Sequence, residues 1–221
     1  MTTGGREAKD ALFDALASIA RALSSGRRAE IVELLAQAER TVEQVAEAIE
    51  QSVANTSHHL RTLARAGLVA TRRDGTHVHY RLASDDVAAV WLALRRVAAE
   101  QVGGLEQLAH AYLGERDEEL TITREELVER LARDELVVID VRPELEYAAG
   151  HLPGAISVPP DRFGVALDEL PADRDVVAYC RGPYCVYADQ AVRHLRDRGR
   201  RALRLDDGLP EWRLAGGPIE R

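Results

Sequence analysis

The chain has 221 residues, with 37 Asp plus Glu against 29 Lys plus Arg and a net charge of −8, a length comfortable for two domains that each bury their own core. No apolar run approaches 18 residues, the N-terminus is not signal-like and there are only two cysteines, which argues against membrane insertion and export and predicts a cytoplasmic protein with reduced thiols. The acidic total argues against a nucleic-acid partner, but residues 1–112 carry 13 basic and 14 acidic side chains and the remaining 109 carry 16 and 23, so the excess acid belongs to the second half. Within the first half, residues 52–81 hold five arginines against one acid, Asp74, together with His58, His59, His77 and His79.

Apolar residues recur at helical spacing from Leu12 and Phe13 through Leu16 and Ile19 to Leu23, and the pattern breaks at Ser24, Ser25 and Gly26. A second helix follows with Ile31, Leu34 and Leu35 inward. Thr41 and Gln44 form a capping box that opens a third, through Val45 and Ile49. A fourth runs from about 52 to 65, held inward by Val53, Leu60 and Leu63 and closed by Gly67. Residues 68–73 and 76–82 flank the turn Asp74–Gly75 and predict a hairpin. Short helices followed by a hairpin describe a winged helix-turn-helix. Residues 85–113 predict a long amphipathic helix interrupted at Gly103–Gly104, whose apolar stripe (Val87, Val90, Leu94, Val97, Leu108, Tyr112) suits a homodimer contact.

A charged linker is expected at 113–120, separating domains at 1–112 and 121–221. Beyond it helices and strands alternate. Thr123 and Glu126 cap a helix to about Arg133, and 136–141, 155–158, 176–179 and 202–205 are strand candidates. The alternation predicts a mainly parallel sheet covered on both faces.

The run Gln44 to Val69, above all Thr56-Ser57-His58-His59-Leu60 and its continuation from Arg61, resembles the helix-turn-helix of the ArsR family of bacterial repressors, and the wing ending Val78-His79-Tyr80-Arg81-Leu82 agrees. The resemblance covers about residues 10–112 and implies a regulator of double-stranded operator DNA. Ser52, Asn55, Thr56, Ser57, His59 and Arg61 are the candidates for base edges or phosphates in the major groove, with Arg72, Arg73, His77 and Arg81 on flanking backbone or minor groove. A helical protein–protein module is the alternative, and so many arginines with so few acids decide for DNA. Many family members bind metals; here Thr41 and Glu43 stand where a cysteine pair would fall, and Asp85-Asp86 is followed by no histidine until His110. No metal switch is expected there, and no cofactor is expected for the chain.

Both cysteines lie in 177–192, with Cys180 where an apolar strand stops and a helix begins. Loop N–H groups and a helix dipole favour a thiolate at such a place. The segments Val138-Ile139-Asp140-Val141-Arg142-Pro143-Glu144, Gly150-His151-Leu152-Pro153-Gly154, the loop from Cys180 and Leu205 to Trp212 resemble a single rhodanese domain over 121–221. The resemblance implies an α/β domain whose cysteine takes sulfane sulfur from a donor as a persulfide and passes it to a thiol acceptor. It also implies that Asp140 and Arg142 are structural, and His151 is read the same way. The expected site is Cys180 as nucleophile, with Arg181, Gly182 and Tyr184 around it; Arg181 either adds charge or points to solvent.

The arginine usual late in such loops is absent, because Cys185, Val186 and Tyr187 stand there. Phosphatases and arsenate reductases need it to grip a tetrahedral dianion, so neither activity is expected, and Pro183 and Tyr184 give a stiffer, less polar loop suited to a persulfide or polysulfide. Cys185 is either a resolving thiol for Cys180 or a packing cysteine, and zinc binding by this pair alone is not expected. Three functions follow: a sulfur-responsive repressor, a sulfurtransferase tethered to a DNA-binding dimer, and a regulator with an inert second domain.

Overall fold

A computed structural model describes residues 3–221, with side chains from residue 5 onward except Glu118. The backbone packs as two units, Met1–Ala93 and Leu94–Arg221. The division falls inside a helix rather than at the charged segment 113–120.

The first unit contains α1 (Thr3–Leu23), α2 (Gly26–Gln37), β1 (Arg40–Thr41), α3 (Val42–Ala48), α4 (Val53–Arg65), β2 (Val69–Asp74), β3 (His77–Leu82) and the start of α5 (Asp85–Gln101). The anticipated capping box is present at α3: the Thr41 hydroxyl accepts from the Gln44 N–H at 3.4 Å while the Thr41 N–H donates to Gln44 Oε1 at 2.9 Å. β2 and β3 pair antiparallel from Val69↔Leu82 to Asp74↔His77. The reversal is therefore Gly75–Thr76, one residue later than the sequence suggested, with Gly75 at φ +59°. The short β1 adds to β3, giving the sheet order β1-β3-β2.

Ile31, Val32, Leu35, Val45, Leu60, Leu63 and Val87 form the core of this unit. On α4 the buried face is Thr56, Leu60 and Leu63, the i, i+4, i+7 set. Val53, expected inside, begins the helix and stays 46% exposed. Thr56, expected at the groove, has no exposed surface, and its hydroxyl has no hydrogen-bond partner among the described residues.

The apolar stripe on α5 is divided. Val87 and Ala88 are buried and Trp91 packs on the core, whereas Val90, Leu94 and Val97 are exposed. The helix ends before Gly103–Gly104, where Gly104 at φ +83° caps α6 (Leu105–Leu113). Leu108 and Tyr112 on α6 are exposed, as are Leu12, Phe13 and Leu16 on α1. No helix among the described residues is long and apolar enough to cross a membrane.

The second unit continues with β4 (Thr121–Ile122), α7 (Arg124–Ala132), β5 (Leu136–Asp140), α8 (Glu144–Ala149), β6 (Ile156–Ser157), α9 (Phe163–Ala166), β7 (Asp175–Tyr179), α10 (Val186–Asp197), β8 (Ala202–Leu205) and α11 (Leu209–Leu214). Its five strands lie in the order β4-β8-β7-β5-β6, and every pairing is parallel. The Thr123–Glu126 capping box opens α7 as the sequence indicated. β7 is the central strand and is buried from Val176 to Tyr179, which matches a continuous Val-rich run covered on both faces.

Beneath the C-terminal end of this sheet lies a buried ion pair. Asp140 and Arg142 are both without exposed surface; Arg142 Nε donates to Asp140 Oδ1 at 2.9 Å and Arg142 Nη2 to the Gly150 carbonyl at 2.7 Å. Burial alone would lower the Arg142 pKa, yet the bonded Asp140 carboxylate holds it above its ordinary value. The Tyr179 hydroxyl also donates to Asp140, and burial followed by that carboxylate pushes its pKa up. These bonds bear out the structural reading of Asp140 and Arg142.

Removing one partner strands a buried charge, so Arg142→Leu is expected to cost about 3–5 kcal/mol in the urea unfolding of the second unit. Thr56→Val, which removes an unpaired buried hydroxyl at nearly constant volume, is expected to leave thermal stability unchanged or raised. A clear drop in Tm would show that the hydroxyl makes a needed bond.

Candidate functional site

β7 delivers Cys180 to the C-terminal edge of the parallel sheet, the edge at which open α/β sheets place their ligands. Cys180 is 2% exposed and packs with Val141, Val158, Ala188 and Val192. The loop returns through Pro183 to Cys185, the residue preceding α10, which is half-buried against the same cluster. The two cysteines form a disulfide with Cα atoms 6.1 Å apart, so neither is a free thiol. Of the two readings of Cys185, the structure contains the bridged one. It also moves the helix start: α10 begins at Val186, so its N-terminus adjoins Cys185 rather than Cys180.

The loop is held on several sides. Arg181 neither lies free over the sulfur nor points to solvent: Nε donates to both oxygens of Glu146 at 3.0 Å and Nη2 to Oε1 at 2.6 Å, and Glu146 itself is wholly buried. Its charge is committed to α8. On the other side the β8–α11 connection presses backbone against backbone, for a Cβ at Gly208 would stand 2.2 Å from the Arg181 carbonyl oxygen. This explains the glycine in the stretch Leu205 to Trp212.

Gly182 lies under the guanidinium of Arg95, which is ion-paired with Glu211. The Pro183 carbonyl accepts from Arg116. The Cys185 N–H donates to the Gly182 carbonyl at 3.2 Å, and Tyr184 is half-exposed on the outer turn. Sequence reasoning named Arg181, Gly182, Tyr184 and the cysteines but missed Gly208, Glu211, Arg95 and Arg116, which come from distant parts of the chain. His151 is 8% exposed, with Nδ1 3.1 Å from the Tyr147 carbonyl and its ring stacked on Tyr147, in keeping with a structural role.

In the first unit, the recognition-helix candidates divide by burial. Ser52 caps α4, accepting from the Asn55 N–H at 3.3 Å. Asn55 and Arg61 are exposed, Ser57 is half-buried, and Thr56 is buried and cannot touch a ligand. His59 is half-buried, its Nδ1 has no hydrogen-bond partner among the described residues, and burial, then Arg28, lowers its pKa. The neighbour that sequence reasoning passed over, His58, is exposed three residues before Arg61 on the same helix face. On the wing, Arg73, His77 and Arg81 are exposed. Arg72 is exposed too, but it is paired with Glu39 at 2.6 Å and Asp74 at 3.2 Å, and the Glu39 hydrogen bond raises its pKa.

Comparisons with known proteins match two separate segments of the chain to two families. Residues 123–215 match the family model for the rhodanese-like domain, and residues 25–71 match that for bacterial regulatory proteins of the arsR family. The chain is 46% identical over 217 residues to the HTH-type transcriptional regulator Rv0324 of Mycobacterium tuberculosis, an alignment that spans 98% of this chain and 95% of that one. A sulfurtransferase of Allochromatium vinosum is 37% identical over 100 residues, 44% of this chain and 92% of its own. Among solved structures, the homodimeric winged helix-turn-helix DNA-binding domain Mb0332 of Mycobacterium bovis is 42% identical, covering 42% of this chain and 87% of that domain at a TM-score of 0.41. The protein belongs to the ArsR family of HTH-type transcriptional regulators, in a form that carries a C-terminal rhodanese-like domain.

Proposed function

We propose that the protein is a dimeric regulator whose affinity for double-stranded operator DNA is set by reactive sulfur at Cys180. The observation that carries this reading is the Cys180–Cys185 pair, bridged at the end of the central strand in a loop that lacks the late arginine. The chemistry balances without a cofactor. The Cys180 thiolate attacks the outer sulfur of a donor R–S–SH, forming Cys180–S–SH and releasing R–S⁻. The Cys185 thiolate then attacks the inner sulfur, Cys180 Sγ, closing the disulfide and expelling HS⁻. Two cysteine sulfurs are oxidised and one sulfane sulfur is reduced to sulfide. A thiol acceptor that attacks the persulfide first takes the outer sulfur and leaves Cys180 as a thiol, which is the sulfurtransferase branch.

Asn55, Ser57, His58 and Arg61 on α4, with Arg73, His77 and Arg81 on the wing, supply the DNA surface; Ser52 and Arg72 contribute after their existing partners yield. The exposed apolar side chains of α1, α5 and α6 supply the homodimer contact, since a row such as Val90, Leu94 and Val97 is costly to leave in water. A second reading, a sulfurtransferase whose turnover is independent of DNA affinity, draws on the likeness to the Allochromatium sulfurtransferase.

Operator binding before and after polysulfide treatment separates the two. The regulatory reading expects at least a tenfold change in Kd, about 1.4 kcal/mol, in the parent and none in Cys180→Ser. An unchanged Kd in the parent together with rapid sulfur transfer to a thiol would establish the enzyme instead. For the DNA surface, Arg73→Ala is expected to reduce the slope of log K against log salt by about 0.9 per lost phosphate contact. Arg61→Ala at a base edge is expected to cost about 1–3 kcal/mol and relax sequence preference. Equal operator affinity for parent and both variants, measured by salt titration, would remove these residues from the interface.

A further inference from the structure

Two arginines outside the segment matched to the rhodanese-like family, residues 123–215, reach the loop that carries both cysteines. Arg95 and Arg116 both lie in the second unit, Leu94–Arg221. Arg116, in the charged segment between α6 and β4, donates Nε to Asp189 Oδ2 at 2.9 Å and Nη1 to the Pro183 carbonyl. Pro183 precedes Cys185 by two residues and Asp189 follows it by four, so this one side chain staples together the two flanks of Cys185. Asp189 is 9% exposed, and its other oxygen accepts from Arg204 at 3.2 Å. Arg95 is ion-paired to Glu211 and sits so close over Gly182 that a Cβ there would stand 2.9 Å from Nη1. The Gly182 carbonyl, in turn, accepts the Cys185 N–H.

We propose that Arg116 and Arg95 are positioning residues for the sulfur chemistry, a clamp that holds Gly182 and Pro183 in the shape that brings Cys185 to Cys180. The proposal rests on the reading of the two cysteines as partners in sulfur exchange. A persulfide places an additional sulfur on Cys180, a residue with almost no exposed surface. The loop must open to admit it, and the loop residues between the cysteines include the two on which the arginines sit. Bridge and clamp are therefore linked, and linkage is reciprocal: the factor by which the bridge favours the clamp is the factor by which the clamp favours the bridge. Arg116 and Arg95 thus extend the sulfur site to residues 94–116, ahead of the rhodanese-like domain itself.

The test uses the full chain equilibrated in thiol–disulfide buffers, with the bridged fraction read by mass spectrometry. Arg116→Ala and Arg95→Ala are each expected to shift the equilibrium about tenfold toward the dithiol, about 30 mV. Arg116→Lys, which keeps the charge but not the fork of donors, is expected to recover part of the shift. A purely structural contact would lower Tm in the variants and leave the equilibrium constant at the parent value, and that result overturns the proposal. Hydrogen exchange on the parent needs no variant: reduction of the bridge is expected to speed exchange at 94–101 and 114–120, and unchanged exchange there overturns the clamp. Faster exchange with an operator affinity indifferent to sulfur supports the clamp and removes the regulatory reading; sulfur-dependent affinity with unchanged exchange does the reverse.

Discussion

The Asp140 carboxylate is the point from which the Cys180 loop is built. It accepts from Arg142 and from the Tyr179 hydroxyl, while the Asp140 carbonyl takes the Val158 N–H at 2.8 Å. Three segments far apart in sequence, the end of β5, the end of β7 and the approach to α9, are thereby fixed around one buried residue. Tyr179 precedes Cys180, and its hydroxyl also accepts the Leu152 N–H at 3.1 Å. The cysteine consequently leaves the sheet from a residue that has almost no freedom to turn. A buried pair of this kind is a poor source of net stability and a good source of geometric definition, which is the role it has here.

Above this fixed base the loop is defined less by its own sequence than by what is brought against it. Glu146 captures Arg181, Gly208 allows two backbones to meet, and Arg95 and Arg116 arrive from ahead of the domain. The family resemblance therefore locates Cys180 but understates what packs against its loop. Cys180 stands at the end of β7, and this chain surrounds its loop with arginines that are already paired with carboxylates. Positive charge near the sulfur is partly neutralised by these pairings, and the loop carries a second cysteine, bridged to the first, where an anion-gripping arginine would otherwise stand. That combination is the basis for proposing exchange between sulfurs rather than the binding of an oxyanion.

Much of the architecture was legible in the sequence because it is written in local patterns. Both capping boxes, the wing hairpin, four of the five strands of the parallel sheet and the position of Cys180 at a strand end follow from spacings of a few residues. The two-residue strands β1 and β4 carry no periodicity of their own and exist only through pairing with β3 and β8. Val53 and Thr56 exchanged places for a related reason: hydrophobicity favours valine inside, but at the first position of α4 it stands at the helix end, and the packed face passes through Thr56. The basic stretch was also partly misjudged. Glu39, 33 residues away, neutralises Arg72, and local charge counting has no access to such a partner. Arg95 and Arg116 escaped notice because tertiary contact alone identifies them.

The unequal burial of the two bridged cysteines bears on the route by which the bridge would be reduced. Cys180 has 2% of its surface exposed, while Cys185 is only half-buried at the start of α10. An incoming reductant thiolate meets Cys185 first, and attack there makes Cys180 the leaving group. The mixed disulfide then sits on the outer cysteine while the inner one is restored as a thiolate. Reduction by that route frees Cys180 before Cys185, so the order of release follows depth in the fold.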